Sequence, residues 1–256
     1  MRTFLALSLL LVACGPNYRE IQKADTIEGY ESFLAEVSDK HPDFWKATLR
    51  LEEKYLDKAR EMKSLEGYDL YLSKYQGVEN AKLVSIALEE REEFLYTWAQ
   101  EENTVAGWEK FLEEYPRAKK KRKQEARRRI KVIAYGPNIG QGEVTLDRIN
   151  LAEDPEGPMN GWGITCPFEN KGESTIEYLN VQIEWLNDAG NVIQTKNWPL
   201  VAPKYPVPIE EEYKVPIAAG ETRDFYYMAE ELDGWAQKIV LTPVALRLQG
   251  EDSTEE

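Results

Sequence analysis

The feature that most constrains the fold of this 256-residue chain is a short pattern that occurs three times. In each copy a glycine stands three residues after a Thr or Ser, an aromatic residue follows it directly, and an aromatic–Leu pair comes three residues later. The glycines are Gly29, Gly67 and Gly107, spaced by 38 and 40 residues. A period of this length is typical of solenoids, in which one unit cannot bury its apolar face alone. The pattern predicts helical repeats over residues 24–134.

Each copy is interpreted as a helical hairpin. The Thr or Ser suits the N-cap of a short helix, and the three- and four-residue spacing places the aromatic and Leu side chains on one helical face. A break and then a longer helical stretch follow. The breaks are His41-Pro42, Gln76-Gly77 and Tyr115-Pro116, and the longer stretches span 43–62, 78–99 and 117–134. We expect three stacked hairpins with the aromatic residues in their core. Residues 107–116, Gly-Trp-Glu-Lys-Phe-Leu-Glu-Glu-Tyr-Pro, resemble the tetratricopeptide-like repeats of bacterial envelope proteins.

The hydrophobic period changes after a glycine- and proline-rich stretch at 135–142, which is predicted to be a linker. Short runs with a two-residue period, separated by turns, then predict strands. These runs are 163–170, 178–185, 192–195, 222–227 and 238–248. The second and third are predicted to form a hairpin. Roughly seven short strands in a hundred residues indicate an immunoglobulin-like antiparallel β-sandwich over 143–249.

Several motifs in this region resemble the FxLYD-type sandwich domains of prokaryotic envelope proteins. They are Phe168-Glu169-Asn170-Lys171-Gly172, Asp188-Ala189-Gly190 and the segment 219–225. The resemblance implies a sandwich fold without accepted catalytic residues, and the proline-rich segment 198–208 departs from it. The fold class expected for the whole chain is α+β and multidomain: an all-α solenoid of three hairpins followed by an all-β sandwich.

The first fifteen residues predict where the protein is found. Arg2 precedes an apolar run over 4–12, which is too short to span a bilayer but suits a secretion signal. Leu11-Val12-Ala13-Cys14-Gly15 resembles the bacterial lipobox. The resemblance implies a signal peptide at 1–13, acylation of Cys14 and a lipidated tether at 14–23. It places the protein on a membrane of the bacterial cell envelope, and Gly15 in place of an aspartate favours the outer membrane, on its periplasmic or surface face.

Charge is distributed very unevenly. The net charge of −14 argues against nucleic acid as a partner. Residues 143–256 hold 22 acidic and 8 basic residues, whereas residues 117–131 hold ten basic residues and only Glu125. The basic segment is predicted to dock an envelope protein, and residues 250–256 are predicted to be an acidic disordered tail. The proposed docking residues are Lys119, Lys120, Lys123, Arg127, Arg128 and Lys131. A solvated outer helix face, a site for anionic lipid and a clasp to the protein's own acidic domain are alternatives.

The sequence offers little material for catalysis. It contains one histidine and two cysteines, and none of the common nucleophile, zinc or phosphate-binding motifs. We therefore predict no catalytic residue, no metal and no cofactor, with His41 in a turn and Cys166 as an inert buried thiol. The predicted function is a non-catalytic adaptor or scaffold anchored to the envelope. The alternatives are a structural or solute-sensing accessory protein and, behind it, a carboxylate-dependent hydrolase.

Overall fold

The computed structural model describes residues 17–154, 157–204 and 209–251, with backbone alone between 151 and 159. Cys14, the predicted signal peptide and residues 252–256 of the predicted tail lie outside the described residues. Within them the chain is α+β, as predicted: seven α-helices come first, and seven strands in two antiparallel sheets follow. The chain divides into two compact units, Met1–Thr97 and Trp98–Glu256, and the division falls inside the fifth helix.

The helices are α1 (Tyr18–Ala24), α2 (Ile27–Glu36), α3 (Phe44–Met62), α4 (Leu65–Tyr75), α5 (Val84–Glu102), α6 (Val105–Glu114) and α7 (Lys120–Tyr135). The strands are β1 (Ile139–Gln141), β2 (Thr145–Asp154), β3 (Gly157–Asn170), β4 (Ile176–Leu186), β5 (Val192–Val201), β6 (Thr222–Glu230) and β7 (Lys238–Leu248). The predicted hairpin of β4 and β5 is confirmed, and β7 has the predicted bounds. The sequence analysis did not predict β1 and β2.

The recurring Thr or Ser caps a short helix in all three copies, which confirms the predicted N-caps. The hydroxyls of Thr26, Ser64 and Thr104 accept hydrogen bonds from the backbone N–H three residues later, at 3.1, 3.4 and 3.1 Å. The N–H in each case belongs to the recurring glycine. A side-chain oxygen at this position satisfies one of the donors that a helix N-terminus leaves open. The repeated pattern is therefore a repeated helix start.

The aromatic residues of the repeats are buried, as predicted. In the first unit Tyr30 and Phe33 of α2 pack with Ala47 and Leu51 of α3. A second cluster joins three tyrosines of α4 to Leu56 and Ala59 of α3 and Ala87 of α5. These tyrosines are Tyr68, Tyr71 and Tyr75. The apolar face of each short helix is thus covered by longer helices, which is the arrangement that helical hairpins require.

A charged cluster links the start of α2 to α3 in the first unit. Asp25 has a left-handed backbone (φ 48°), and its carboxylate accepts hydrogen bonds from Arg50 Nε at 2.9 Å and Nη2 at 2.7 Å. Lys54 Nζ at 2.9 Å and the Tyr30 hydroxyl at 3.1 Å donate to the same carboxylate. Hydrogen bonds from Arg50 and then Lys54 hold the pKa of Asp25 well below its usual range. Burial and the bond to Asp25 raise the pKa of Tyr30 to about 12.

Asp25→Asn should lower the free energy of unfolding at neutral pH by about 1 kcal/mol, because it removes one charge from a partly exposed network. Asn tolerates the left-handed backbone, so the change is mainly electrostatic. The folded-state pKa of Asp25 is depressed, so its carboxylate stabilises the fold above the unfolded-state pKa of about 4 and loses that contribution as the pH falls through the folded-state value. In urea unfolding, the difference in the free energy of unfolding between the wild type and Asp25→Asn should decrease as the pH is lowered from about 5 to about 2.

Asp57→Asn is the matched control, because within the described residues Asp57 makes only an exposed ion pair with Arg60 at 3.2 Å. Asp57→Asn should change the free energy of unfolding only slightly at both low and neutral pH. An Asp25→Asn deficit of the same size at low and neutral pH would contradict an electrostatic role for Asp25.

The two sheets of the second unit share one hydrophobic core. In the first sheet β3 is central, with β1 and β2 along one edge and β6 along the other, and in the second the order is β5-β4-β7. Inward residues of β3 and β6 pack in the same cluster as the alternating buried residues of β4. Val132 of α7 belongs to this cluster, and α7 contacts β7. The last helix is thus part of the core that the sheets form.

Two predicted boundaries differ from the structure. Residues 135–142, predicted to be a linker, form the end of α7, a 3-10 turn and the strand β1, which pairs with β3. The reason is packing: Tyr135 and Ile139 contact the sheet core, and the Tyr135 hydroxyl donates to Asn170 Oδ1 at 2.9 Å. The predicted tether 14–23 is helical from Tyr18 onward as α1.

Candidate functional site

The two cysteines and the histidine have separate surroundings. Cys14, the predicted lipid site, lies outside the described residues. Cys166 is fully buried in β3, and burial raises the pKa of its thiol. A buried thiol of this kind is a poor nucleophile, which agrees with the prediction that it is inert. His41 lies in the turn between α2 and α3, where Nδ1 accepts a hydrogen bond from the Asp43 N–H at 3.2 Å.

The predicted basic patch lies on α7 and on the residue before it. Ala126 and Val132 are the buried residues of this helix, and none of its eight cationic side chains is among them. Lys119 and Lys120 are exposed, Arg128 is partly exposed, and none of these three has an ion-pair partner among the described residues. We call these three residues the basic stripe. Their uncompensated charge creates a positive potential along α7 from its start to Arg128.

The other three predicted docking residues already make contacts within the chain. Lys123 Nζ donates to the Pro116 carbonyl at 3.0 Å. Lys131 forms an ion pair with Glu251 at 3.5 Å, and Arg127 is exposed but takes part in an intramolecular interaction. The contact of Lys131 with Glu251 joins α7 to the segment that follows β7. The six predicted residues therefore separate into a free group and an engaged group.

The first unit contains a cavity that was not predicted from the sequence. The cavity has a volume of about 280 Å³ and lies between α3 and the segment before α5. Its lining residues from α3 are spaced by three or four positions, so they lie on one helical face. The lining residues are Trp45, Thr48, Leu49, Glu52, Asn80 and Lys82. We call this space the α3 cavity.

Glu52 is a buried carboxylate in the wall of the α3 cavity. Its side chain is only 2% exposed. Oε1 accepts hydrogen bonds from the Tyr71 hydroxyl at 2.9 Å and from the backbone N–H groups of Lys82 and Leu83 at 2.8 and 2.7 Å. Oε2 has a single longer contact, with the Lys82 N–H at 3.1 Å. Burial and then the bond to Glu52 raise the pKa of Tyr71. Glu52 thereby ties α3 to α4 and to the start of α5.

A signal for this carboxylate was present in the sequence. Glu52 precedes Leu56 by four residues and Ala59 by seven, so it lies on the apolar stripe of α3. A charged residue on a core-facing stripe needs partners inside the protein, because an unpaired buried charge is costly. This position predicts that Glu52 has buried partners. It does not identify them, because they lie 19 to 31 positions away in the sequence.

The described residues give no sign of a metal centre or a membrane span. No group of three or more His, Cys, Asp and Glu side chains among them is placed to hold a metal ion. None of the described helices is both long and apolar enough to cross a membrane.

No family model matches the chain, and no curated protein matches it. One similar solved structure is "Pseudomonas fluorescens alkylpurine DNA glycosylase AlkC bound to DNA containing an abasic site analog". The similarity has a TM-score of 0.33 and 9% sequence identity, and it covers 90% of this chain and 72% of that chain. A likeness at this level supports no conclusion about substrate or partner.

Proposed function

We propose that the protein is an envelope lipoprotein, anchored by an acylated Cys14, that acts as a non-catalytic protein-binding adaptor. The observation that carries the docking part of the proposal is the basic stripe. Lys119, Lys120 and Arg128 present cationic groups that nothing in the described chain neutralises. The anchor would hold these groups near the membrane, within reach of other envelope proteins.

The chemistry of the stripe favours an acidic protein surface as the partner. The whole chain carries a net charge of −14, so an acidic partner is attracted at the stripe and repelled by most of the remaining surface. Such a contrast in charge orients the partner and speeds its association more than it raises the affinity. Apolar contacts beside the stripe would then supply the affinity.

The proposal also includes the type of helical repeat and the type of sandwich. We propose that the helices form three tetratricopeptide-like hairpins and that the sheets form an immunoglobulin-like sandwich of FxLYD type. The recurring cap hydroxyls of Thr26, Ser64 and Thr104 support the repeats, and the common core of the two sheets supports the sandwich. Both architectures serve widely as protein-binding surfaces, which by analogy favours an adaptor.

The proposal can be tested by in vivo crosslinking and affinity capture from the native envelope. Three variants are compared with the wild type: Cys14→Ala, the double reversal Lys119→Glu/Lys120→Glu, and the control Lys40→Glu/Lys58→Glu. The control has the same charge change at exposed lysines of the first unit. Capture is quantified with a terminal tag, so that the loss of reactive lysines does not by itself lower the signal.

We expect one reproducible envelope protein, whose captured amount falls about tenfold in the stripe variant and stays constant in the control. Cys14→Ala should leave the precursor uncleaved, unlipidated and released from membranes by alkaline extraction. A Cys14→Ala chain that is still processed and retained would overturn the anchor. Crosslinks confined to lipid, or to residues 143–251 of the same chain, would overturn the adaptor and favour a lipid site or an internal clasp.

A further inference from the structure

The α3 cavity has the chemistry of a ligand site. We propose that it binds one sugar ring of a glycan, with Trp45 as the stacking platform. This inference goes beyond the adaptor function and requires neither the lipid anchor nor the basic stripe. It depends on the aromatic surface of the cavity, on its inventory of hydrogen-bonding groups and on its size.

Trp45 gives the cavity an exposed aromatic surface. Its side chain is 54% exposed, although it begins a helix whose other face is well packed. The ring contacts Phe44 edge to face, with centroids 5.2 Å apart and an interplanar angle of 88°. This contact favours the observed orientation of the ring before any ligand arrives. Leu49 adds apolar surface within the same cavity. A flat apolar surface of this kind matches the C–H face of a pyranose ring.

The polar groups of the cavity include both donors and acceptors. The Thr48 hydroxyl donates its hydrogen to the Phe44 carbonyl at 2.9 Å, so the hydroxyl oxygen is left as an acceptor. The side chains of Asn80 and Lys82 are exposed and have no partner among the described residues. Asn80 offers a donor and an acceptor, and Lys82 offers a charged donor. Glu52 Oε2, with one contact at 3.1 Å, can accept a further bond.

A mixed set of donors and acceptors favours a polyhydroxylated ligand over an organic cation. Each sugar hydroxyl donates one hydrogen bond and accepts others, so it uses both kinds of group. A cation would need acceptors only, and the ammonium group of Lys82 would repel it. A sugar that carries an amine is disfavoured for the same reason. A neutral sugar or a uronic acid is therefore the ligand that suits these residues.

The same residues favour binding rather than hydrolysis. Glycoside hydrolysis requires two carboxyl groups facing the scissile bond, and Glu52 is the one carboxylate among the residues that line the cavity. The oxygen of Glu52 with three donors is already committed to the fold. The volume of about 280 Å³ is at the small end of ligand pockets, which suits one ring of a longer chain.

The test is a titration of the ¹⁵N-labelled full chain by NMR with four probes. The probes are glucose, N-acetylglucosamine, glucuronate and, as the competing class, choline. The indole signal of Trp45 and the amide signals of Lys82 and Leu83 report on the cavity, because those amides donate to Glu52. A ligand of about a dozen heavy atoms binds in the millimolar range at ordinary ligand efficiency. We expect saturable shifts at these three signals with at least one sugar.

Trp45→Ala should weaken the binding of that sugar at least about tenfold, and Asn80→Ala should weaken it by a smaller factor. Leu70→Ala is the matched control, because Leu70 is 42% exposed on α4 and does not line the cavity. Amide signals away from the cavity should be the same in all variants, which shows that each one is folded. Saturable binding of choline alone would overturn the sugar assignment, as would sugar shifts that survive in Trp45→Ala. The absence of any shift with all four probes would overturn the site.

Discussion

Glu52→Ala should lower the free energy of unfolding by about 3–5 kcal/mol, the size of loss that follows when buried donors lose a shared charged acceptor. The variant leaves the Tyr71 hydroxyl and the backbone N–H groups of Lys82 and Leu83 without their acceptor. Tyr71 is fully buried, and a buried donor left without an acceptor costs about 1–3 kcal/mol. Urea unfolding of the full chain, followed by far-ultraviolet circular dichroism, measures the loss.

Two further variants determine the source of that loss. Glu53→Ala removes the neighbouring carboxylate, which is 39% exposed and pairs with Arg50, so it should cost no more than about 1 kcal/mol. Tyr71→Phe removes one of the donors to Glu52 and should cost about 1 kcal/mol. If Glu52→Ala were no more damaging than Glu53→Ala, the carboxylate would not be the link between the three helices.

Gly67→Ala should destabilise the protein by about 1–3 kcal/mol, even though alanine is the better helix former. A Cβ atom at Gly67 would lie 2.7 Å from the Ala59 carbonyl oxygen and 3.0 Å from Met62 Cβ. The carbonyl belongs to the backbone of α3, so α4 would have to move away from α3 as a whole. Differential scanning calorimetry should show a Tm lowered by roughly 2–4 °C for each kcal/mol lost in a chain of this size.

Gly107→Ala is the control at the equivalent position of the third copy of the sequence pattern. There the nearest atoms to an added Cβ are Thr104 Oγ1 at 3.2 Å and Trp98 Cζ3 at 3.6 Å, which are side-chain atoms. Because these side chains can move by a few tenths of an ångström, Gly107→Ala should change the free energy of unfolding by no more than about 1 kcal/mol in either direction. An increase in Tm with Gly67→Ala would show that α3 and α4 are not held at the distance observed.

Local signals in the sequence predicted local structure well. The cap hydroxyls and the aromatic core positions were predicted from spacings of three and four residues, and a helix imposes these spacings on any chain. The strand β7 was predicted with its observed bounds because its apolar residues are bordered by turns. The strand β2 was missed, since the two-residue apolar period of Val144 and Leu146 breaks before Ile149.

Glycine content alone misled the prediction at 135–142. A Cβ atom at Gly140 would meet Lys171 Cε at 2.5 Å, and one at Gly142 would meet Pro167 Cγ at 2.5 Å. The Lys171 side chain can swing away but the Pro167 ring cannot, so Gly142 allows the residue after β1 to lie close to β3, whereas the prediction took the glycines as signs of a linker. Composition does not separate the two uses of glycine, because the distinction depends on which segment lies opposite.

The candidate sites differ in how far the sequence could predict them. Lys119 and Lys120 lie in a dense basic run, so their exposure could be expected from charge alone. The ion pair of Lys131 with Glu251 joins residues 120 positions apart, and a single sequence does not contain such a pairing. The α3 cavity depends in the same way on the position of Asn80 relative to Trp45. Distant contacts require the three-dimensional fold.

The placement of Val132 in the core of the sheets has a consequence for how chains of this kind could change in evolution. A duplication that adds helices before α6, or a deletion that removes some there, leaves the residues of the sheet core in place. A deletion that extends into α7 removes Val132 and uncovers β7. Variation in the number of helices should therefore be inherited readily before α6, while α7 and the sheets are gained or lost as one piece.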